Sequence, residues 1–131
     1  MKLFLDTNAY SGWLRQGLWH EPITRAEEVL LSPIVLGELR DGFKGGRRAS
    51  DNEARLLQFL KHSSVTLVPI MESTSAVYAE LKQHLRKQGT PIPENDIWIA
   101  ASTIEHGCVL ATGDQHFEYL PQVRTLDVRA F

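Results

Sequence analysis

The stretch that decides the fold is PIPENDIWIAA, residues 91–101, which sets one acidic side chain, Asp96, directly before the nearly all-apolar run from Ile97 to Ala101. A run this apolar over more than one turn predicts a helix that is buried on most of its sides. Whatever precedes the first turn of that helix is held rigidly near the protein interior. A carboxylate fixed in such a place needs a physical reason.

Outward from this helix, short apolar runs alternate with helical patterns. The runs KLFL (2–5), EVLLS (28–32), VTLVPI (65–70) and CVLAT (108–112) predict strands, and VRTLDV (123–128) is a candidate fifth strand. This alternation predicts an α/β protein, a three-layer sandwich in which helices flank a mostly parallel central sheet of four to five strands. We expect one domain over residues 1–131, because a chain of this length buries a sufficient core without being divided.

Local capping signals predict where three of the helices begin. The predicted starts are Ser32 with Pro33, a capping box from Ser50 to Glu53, and either Ser73 or Thr74. In the first of these helices Glu38 falls at the edge of the apolar stripe, so its carboxylate is expected at the border of the core.

Composition excludes several classes of protein. Hydrophobic residues make up 43% of the chain and charged residues 23%, values typical of a globular protein and far from those of disordered or membrane proteins. The single Cys108 excludes an internal disulfide and fits a reducing compartment. The start MKLFLD has too few apolar residues for a secretory signal. We therefore expect a cytoplasmic protein without a membrane partner.

The positions of the charged residues in the sequence are more informative than the net charge. A formal net charge of −2 argues against a protein that coats nucleic acid in general. Basic residues nevertheless cluster in RDGFKGGRR (40–48) and LKQHLRKQ (81–88). Within the second cluster Arg86 fits equally a contact with an RNA phosphate and a cap on its own helix.

Four acids are placed where a site would form in a parallel sheet. Asp6 and Asp114 follow the ends of two predicted strands, Glu38 lies on the helix after the second strand, and Asp96 opens the buried helix. Sites in such sheets form beyond the carboxyl ends of the strands, where strand order reverses. If strands one and four are neighbours, all four acids converge on one edge of the sheet.

Clustered carboxylates repel one another unless a cation is present, so this arrangement predicts a metal site. Oxygen ligands without a nearby thiolate favour Mg²⁺ or Mn²⁺ over zinc. Such an ion activates water and binds a phosphate oxygen, which is the chemistry of phosphodiester hydrolysis.

The motifs LFLDTN (3–8), VLGEL (35–39), PENDIWIAA (93–101) and LATGDQHF (110–117), in this order and spacing, resemble a PIN-domain ribonuclease, and more closely a VapC-type toxin of a toxin-antitoxin pair. The resemblance spans almost the whole chain and is weakest over residues 11–30 and 44–65. It implies the PIN-like fold, metal-dependent endoribonuclease activity on RNA, a cognate VapB-type antitoxin and a homodimer.

The resemblance also implies roles for individual residues. Asp6, Glu38, Asp96 and Asp114 match the acidic quartet that binds the divalent metal and catalyses cleavage. The polar residues beside them match positions that support the acids or contact the phosphate; these are Thr7, Asn8 and Thr112. Gly113 departs from the family pattern, since relatives often carry a basic or polar residue before the last acid.

Alternatives remain at several positions. His116 follows a strand alone, a setting in which a structural or surface histidine is commoner than a catalytic one, so we leave it out of the catalytic set. The apolar group around Trp13 and Trp19 fits both a core element and a groove for the antitoxin.

Three other functions fit this sequence less well than that of a ribonuclease. A receiver domain needs its phosphoacceptor aspartate after the third strand, and VTLVPIMES has none. A dehalogenase-like phosphatase needs a second aspartate where Asn8 stands. A catalytically silent PIN-like domain that binds RNA or acts as a scaffold is disfavoured by the four intact acids.

Overall fold

The protein is a five-stranded parallel sheet flanked by helices, as seen in a computed structural model that describes residues 1–127. Residues 128–131 of the predicted domain, including Val128 of the predicted fifth strand, lie outside the described residues. The strands are β1 (Lys2–Leu5), β2 (Glu28–Leu31), β3 (Val65–Leu67), β4 (Val109–Ala111) and β5 (Thr125–Leu126). The helices are α1 (Thr7–Gln16), α2 (His20–Arg25), α3 (Pro33–Lys44), α4 (Ala49–Leu60), α5 (Glu72–Gln88) and α6 (Glu94–Glu105), with a 3₁₀ helix over Gln115–Tyr119.

The sheet order is β3-β2-β1-β4-β5, and every neighbouring pair is parallel. The predicted α/β sandwich is therefore confirmed. The expectation that the first and fourth strands are neighbours is also correct, since Leu3 pairs with Val109 and Leu5 with Ala111. The chain order reverses at this β1/β4 boundary, which is where a parallel sheet forms its site.

The core explains why these short runs form strands. Leu3, Phe4 and Leu5 are fully buried, because β1 is the central strand and both of its faces are covered. The apolar run of α6 is likewise buried, with Ile97, Ile99 and Ala100 almost inaccessible to solvent. None of the helices within residues 1–127 has the length and apolar character needed to cross a membrane.

Two predicted helix starts are wrong. Helix α4 begins at Ala49 after Arg48, and Ser50 is exposed within its first turn rather than capping it. Glu53 instead binds the guanidinium of Arg40 on α3, with its Oε2 at 2.9 Å from Nη2. The predicted capping box is therefore absent: Ser50 lies inside the helix and Glu53 makes a contact between helices.

Helix α5 begins at Glu72, with Met71 as its N-terminal flanking residue. Thr74 is buried in the first turn, where its hydroxyl accepts a hydrogen bond from the N–H of Met71 and donates one to Glu105 Oε1 at 2.5 Å. The start predicted at Ser73 or Thr74 is thus too late. The threonine therefore caps the start of α5, as the third residue of the helix, and also holds it against the end of α6.

Trp19 joins the early helices to the far edge of the sheet. It is the one non-glycine residue with positive φ (55°) among residues 1–127, and it precedes α2. Its ring is 5% exposed, and its indole N–H donates to the carbonyl of Leu126 in β5 at 2.9 Å. A Cβ built at Gly113 would meet this ring at 3.8 Å, so the tryptophan lies directly against the backbone before Asp114.

Candidate metal and RNA site

Asp6 lies at the carboxyl end of the central strand and begins α1. Its Oδ1 accepts the backbone N–H of Ala9 at 2.7 Å, which caps the helix, and its Oδ2 accepts the Thr112 hydroxyl at 2.5 Å. Burial raises the pKa of the Asp6 carboxyl to about 6, although both hydrogen bonds lower it. Repulsion from Asp96 and Asp114 raises this pKa further. Asp6 is therefore a buried acid whose pKa is raised by two neighbouring carboxylates, those of Asp96 and Asp114.

Asp114 follows β4, the neighbour of β1, and is held by its own turn. The Thr112 hydroxyl accepts the N–H of Asp114 at 3.0 Å while it donates to Asp6. Asp114 Oδ1 in turn accepts the N–H of His116 at 2.9 Å and so caps the 3₁₀ helix. One threonine therefore links the ends of two neighbouring strands, as expected for a residue that supports the acids.

Asp96 is the third residue of α6 and lies within the first turn, since the helix begins at Glu94. The sequence suggested that Asp96 opens the helix, and the helix in fact begins two residues earlier. Burial is the largest cause that raises the pKa of its carboxyl, and repulsion from Asp114 and Glu38 adds to it. A hydrogen bond with His116 lowers this pKa.

Glu38 completes the group from helix α3, which packs against both α1 and α6. Its Oε1 accepts the Thr7 hydroxyl at 2.6 Å, a contact between α1 and α3. Asn8 follows Thr7 and is exposed. Because the charge of Glu38 raises the pKa of Asp96, the four predicted acids act on one another at this edge of the sheet.

Arg86 lies on the exposed surface of the last turn of α5. Its charge lowers the pKa of Glu94, which already accepts hydrogen bonds from Lys82 and Tyr78. Glu94 begins the same helical turn that carries Asp96. Arg86 is therefore an exposed cation near the start of α6, close enough to Glu94 to act on it electrostatically.

His116, which is not among the predicted catalytic residues, lies within the group of acids in the structure. Its Nδ1 lies 2.9 Å from Asp96 Oδ2 and 3.0 Å from Asp114 Oδ1. The only signal in the sequence was the spacing Asp114-x-His116, which a surface histidine shares. The contact with Asp96 depends on packing the 3₁₀ helix against α6, and no local pattern encodes this.

The donor set fits a divalent cation. Oxygen and nitrogen atoms from Asp96, Asp114 and His116 lie within 4.8 Å of one another, and Asp6 is bonded to the turn that carries two of them. A cation between these groups would relieve the repulsion that raises the pKa of Asp6 and Asp96. The chemistry of carboxylate ligands suits Mg²⁺ or Mn²⁺.

A separate apolar cavity of about 430 Å³ lies beside α1, α2 and α4. Trp13 is half-buried in its wall, and its ring lies 5.2 Å from that of Phe59. The Tyr10 hydroxyl is buried there without a hydrogen-bond partner among the described residues. The two early tryptophans thus have different positions: Trp19 belongs to the core, and Trp13 lines this cavity.

Comparison with known proteins agrees with the fold. The PIN domain family profile matches residues 3–122. Ribonuclease VapC4 of Mycobacterium tuberculosis is 30% identical over 98 residues, which cover 75% of each chain.

Two solved structures share the fold. VapBC-1 from nontypeable Haemophilus influenzae superposes with a TM-score of 0.86 at 23% identity, covering 98% of this chain and 99% of that one. VapBC-5 from Mycobacterium tuberculosis, a member of the VapBC family of toxin-antitoxin systems, superposes with a TM-score of 0.73 at 24% identity, covering 96% and 98%. The chain therefore belongs to the PIN domain family and, within it, to the VapC-type ribonucleases.

Proposed function

We propose that this protein is an endoribonuclease toxin that hydrolyses RNA phosphodiester bonds with a divalent ion, Mg²⁺ or Mn²⁺. The ion is held by Asp6, Glu38, Asp96 and Asp114. The observation that carries this proposal is the meeting of the acids at the β1/β4 edge, where Asp6 is bonded to the turn of Asp114 and ligand atoms of Asp96, Asp114 and His116 lie within 4.8 Å of one another. A group this crowded with negative charge is suited to a cation and an anionic substrate.

Each residue has a distinct part in the proposed reaction. The bound ion lowers the pKa of a water molecule and offsets charge on the phosphate. Thr112 holds Asp6 and Asp114 in register, and Thr7 holds Glu38. Exposed Asn8 can donate to a phosphate oxygen, and Arg86 can contact the RNA backbone beside the site. We infer that a water molecule attacks the phosphorus and that the bond from phosphorus to the 3′ oxygen breaks, so the products carry a 5′-phosphate and a 3′-hydroxyl.

Chelation should abolish cleavage by the purified protein. In excess EDTA we expect RNA cleavage to fall to the level of a no-protein control, and added Mg²⁺ or Mn²⁺ to restore it, because water is not activated without the ion. Gel analysis of a labelled RNA, with sequencing of the cut ends, measures both rate and products. Cleavage that continues undiminished in EDTA would contradict the proposal. RNA binding without cleavage under any ion would identify a silent binding domain instead.

We also propose a cognate VapB-type antitoxin as partner, a homodimer of the toxin and a cytoplasmic location. The solved VapBC-5 is a member of a family of toxin-antitoxin systems. On this chain the apolar cavity beside α1, α2 and α4 offers Trp13 and Phe59, aromatic side chains of the kind that dominate protein interfaces. The buried Tyr10 hydroxyl in the same wall can bond to an incoming backbone.

A charge placed in this cavity should disrupt partner binding. We expect Leu14→Glu, on the half-buried cavity wall, to weaken binding of the antitoxin encoded by the adjacent reading frame at least about tenfold, because a carboxylate would be buried against apolar groups. Arg15→Glu, one position along and exposed, is the matched control and should bind as the wild type does. Calorimetry measures both affinities, and sedimentation reports the oligomer. The proposal is contradicted if the toxin is a monomer at micromolar concentration and does not bind this antitoxin.

A further inference from the structure

We propose that His116 is a nitrogen ligand of the metal site and gives that site a preference for Mn²⁺ over Mg²⁺. This inference rests on the proposed function, since it deepens the description of the same site. The acids alone form an all-oxygen site, which does not distinguish strongly between the two ions. The position of one imidazole nitrogen changes this.

The contacts of the His116 Nδ1 are those of a hydrogen-bonded imidazole, and their spacing also fits a metal ligand. Its Nδ1 lies 2.9 Å from Asp96 Oδ2 and 3.0 Å from Asp114 Oδ1. In an octahedral site with metal–ligand distances of about 2.1 Å, neighbouring ligand atoms lie about 3 Å apart. The nitrogen and the two carboxylate oxygens therefore already have the spacing of adjacent ligands around one ion.

The position of His116 is fixed by its own backbone. The N–H of His116 donates to Asp114 Oδ1 at 2.9 Å, so the residue that caps the 3₁₀ helix also orients the imidazole that follows it. The ring is half-exposed, which leaves a path for an ion from solvent. Both neighbours of Nδ1 are carboxylate oxygens, which are acceptors, so this nitrogen carries the hydrogen in the ion-free protein. An ion bound at Nδ1 would replace that hydrogen, and the ring proton would move to Nε2, so the imidazole would remain neutral.

Ligand chemistry then sets the preference between the two ions. Mg²⁺ is a hard cation that takes oxygen ligands, whereas divalent transition metals also accept imidazole nitrogen. A single histidine among carboxylates should thus favour Mn²⁺. Without His116 the same site would contain oxygen ligands alone, and the preference should shrink.

The test is metal binding by the full chain without RNA. Calorimetry gives the affinities for Mn²⁺ and Mg²⁺, and pulsed electron paramagnetic resonance of the Mn²⁺-loaded protein detects nitrogen bound directly to the ion. His116→Asn keeps an amide near the position of Nδ1 but removes the imidazole ligand. We expect this variant to lose the nitrogen coupling and the ratio of Mn²⁺ to Mg²⁺ affinity to fall about tenfold or more. His20→Gln, an exposed histidine on α2, is the control and should keep both.

The outcomes separate this inference from the proposed function. Nitrogen coupling that is present in the wild type, kept in His20→Gln and lost in His116→Asn supports the ligand role. If the wild type binds both ions without nitrogen coupling, or if the affinity ratio is unchanged in His116→Asn, the inference is overturned and the metal-dependent ribonuclease stands. If neither ion binds the wild type, the proposed function and the inference both fail.

Discussion

In the Asp6→Asn variant, RNA cleavage should fall at least about 100-fold while the fold remains intact. Side chains that only hydrogen-bond to metal ligands typically contribute about 10–100-fold to metal affinity or activity, so a direct ligand should contribute no less. The fold survives because asparagine is as good a helix cap as aspartate, and its oxygen can still accept the N–H of Ala9. A single-turnover cleavage assay in saturating Mg²⁺ measures the loss.

The same substitution should raise or maintain stability when no metal is present. The pKa of Asp6 is raised from 3.8 to about 6, so its contribution to stability is complete below about pH 4 and is lost as pH rises through about 6. As the pH rises, the free energy of unfolding of the wild type should fall by about 3 kcal/mol. The variant should avoid most of this loss, because asparagine is neutral. Wild type should regain this stability from Mg²⁺, because a ligand that binds the native state raises the melting temperature.

Melting curves in EDTA and in saturating Mg²⁺, at pH 5 and pH 7.5, give the comparison. Asp41→Asn is the matched control, since Asp41 is an exposed acid on the helix of Glu38 and should leave the metal response unchanged. If Asp6→Asn melts well below wild type in EDTA, or gains as much from Mg²⁺, then Asp6 is a structural residue and the metal site lies elsewhere.

Replacing Trp19 with alanine should lower the free energy of unfolding by about 3–5 kcal/mol, because a large buried ring is removed and a cavity is left. The Leu126 carbonyl also loses its indole donor, and the backbone of Gly113 loses the surface on which it rests. RNA cleavage should fall as well, because Gly113 directly precedes Asp114, one of the proposed metal ligands. Urea denaturation followed by circular dichroism measures the stability.

Two further variants separate the contributions of this residue. Trp19→Phe keeps most of the ring and should lose about 1 kcal/mol for the missing hydrogen bond, together with part of the packing. Trp13→Ala, at the half-buried cavity wall, should cost clearly less than Trp19→Ala. Equal losses in the two alanine variants would show that Trp19 has no special part in supporting the edge of the sheet.

The sheet and the acidic cluster could be predicted from the sequence because short-range signals encode both. Runs such as KLFL and CVLAT are too short for buried helices, and each ends near an acid, which is typical of a parallel strand leading to a site. Once β1 and β4 are neighbours, Asp6 and Asp114 must lie together.

The helix starts and the role of His116 could not be predicted, since they depend on contacts between distant segments. Glu53 binds Arg40 rather than the start of α4, and Thr74 caps α5 from its third position while it also binds Glu105, so the local capping signals misplaced both helix starts. His116 reaches Asp96 across 20 residues of chain. The two early tryptophans were equally ambiguous. Gly17, with φ of 69°, ends α1 and redirects the chain, so Trp13 and Trp19 do not share a surface.

The pairing of β1 with β4 also determines when the protein can act during its own synthesis. One edge of β1 pairs with β2, which is made early, but at the other edge Leu3 pairs with Val109 and Asp6 is bonded to Thr112, so that edge must wait for a strand made much later. Such pairings form late, because the chain between them must first be closed into a loop. A nascent chain whose β4 has not yet emerged lacks both Asp114 and the threonine that holds Asp6. The ribosome that makes this toxin is therefore not exposed to an assembled nuclease until β4 has left it.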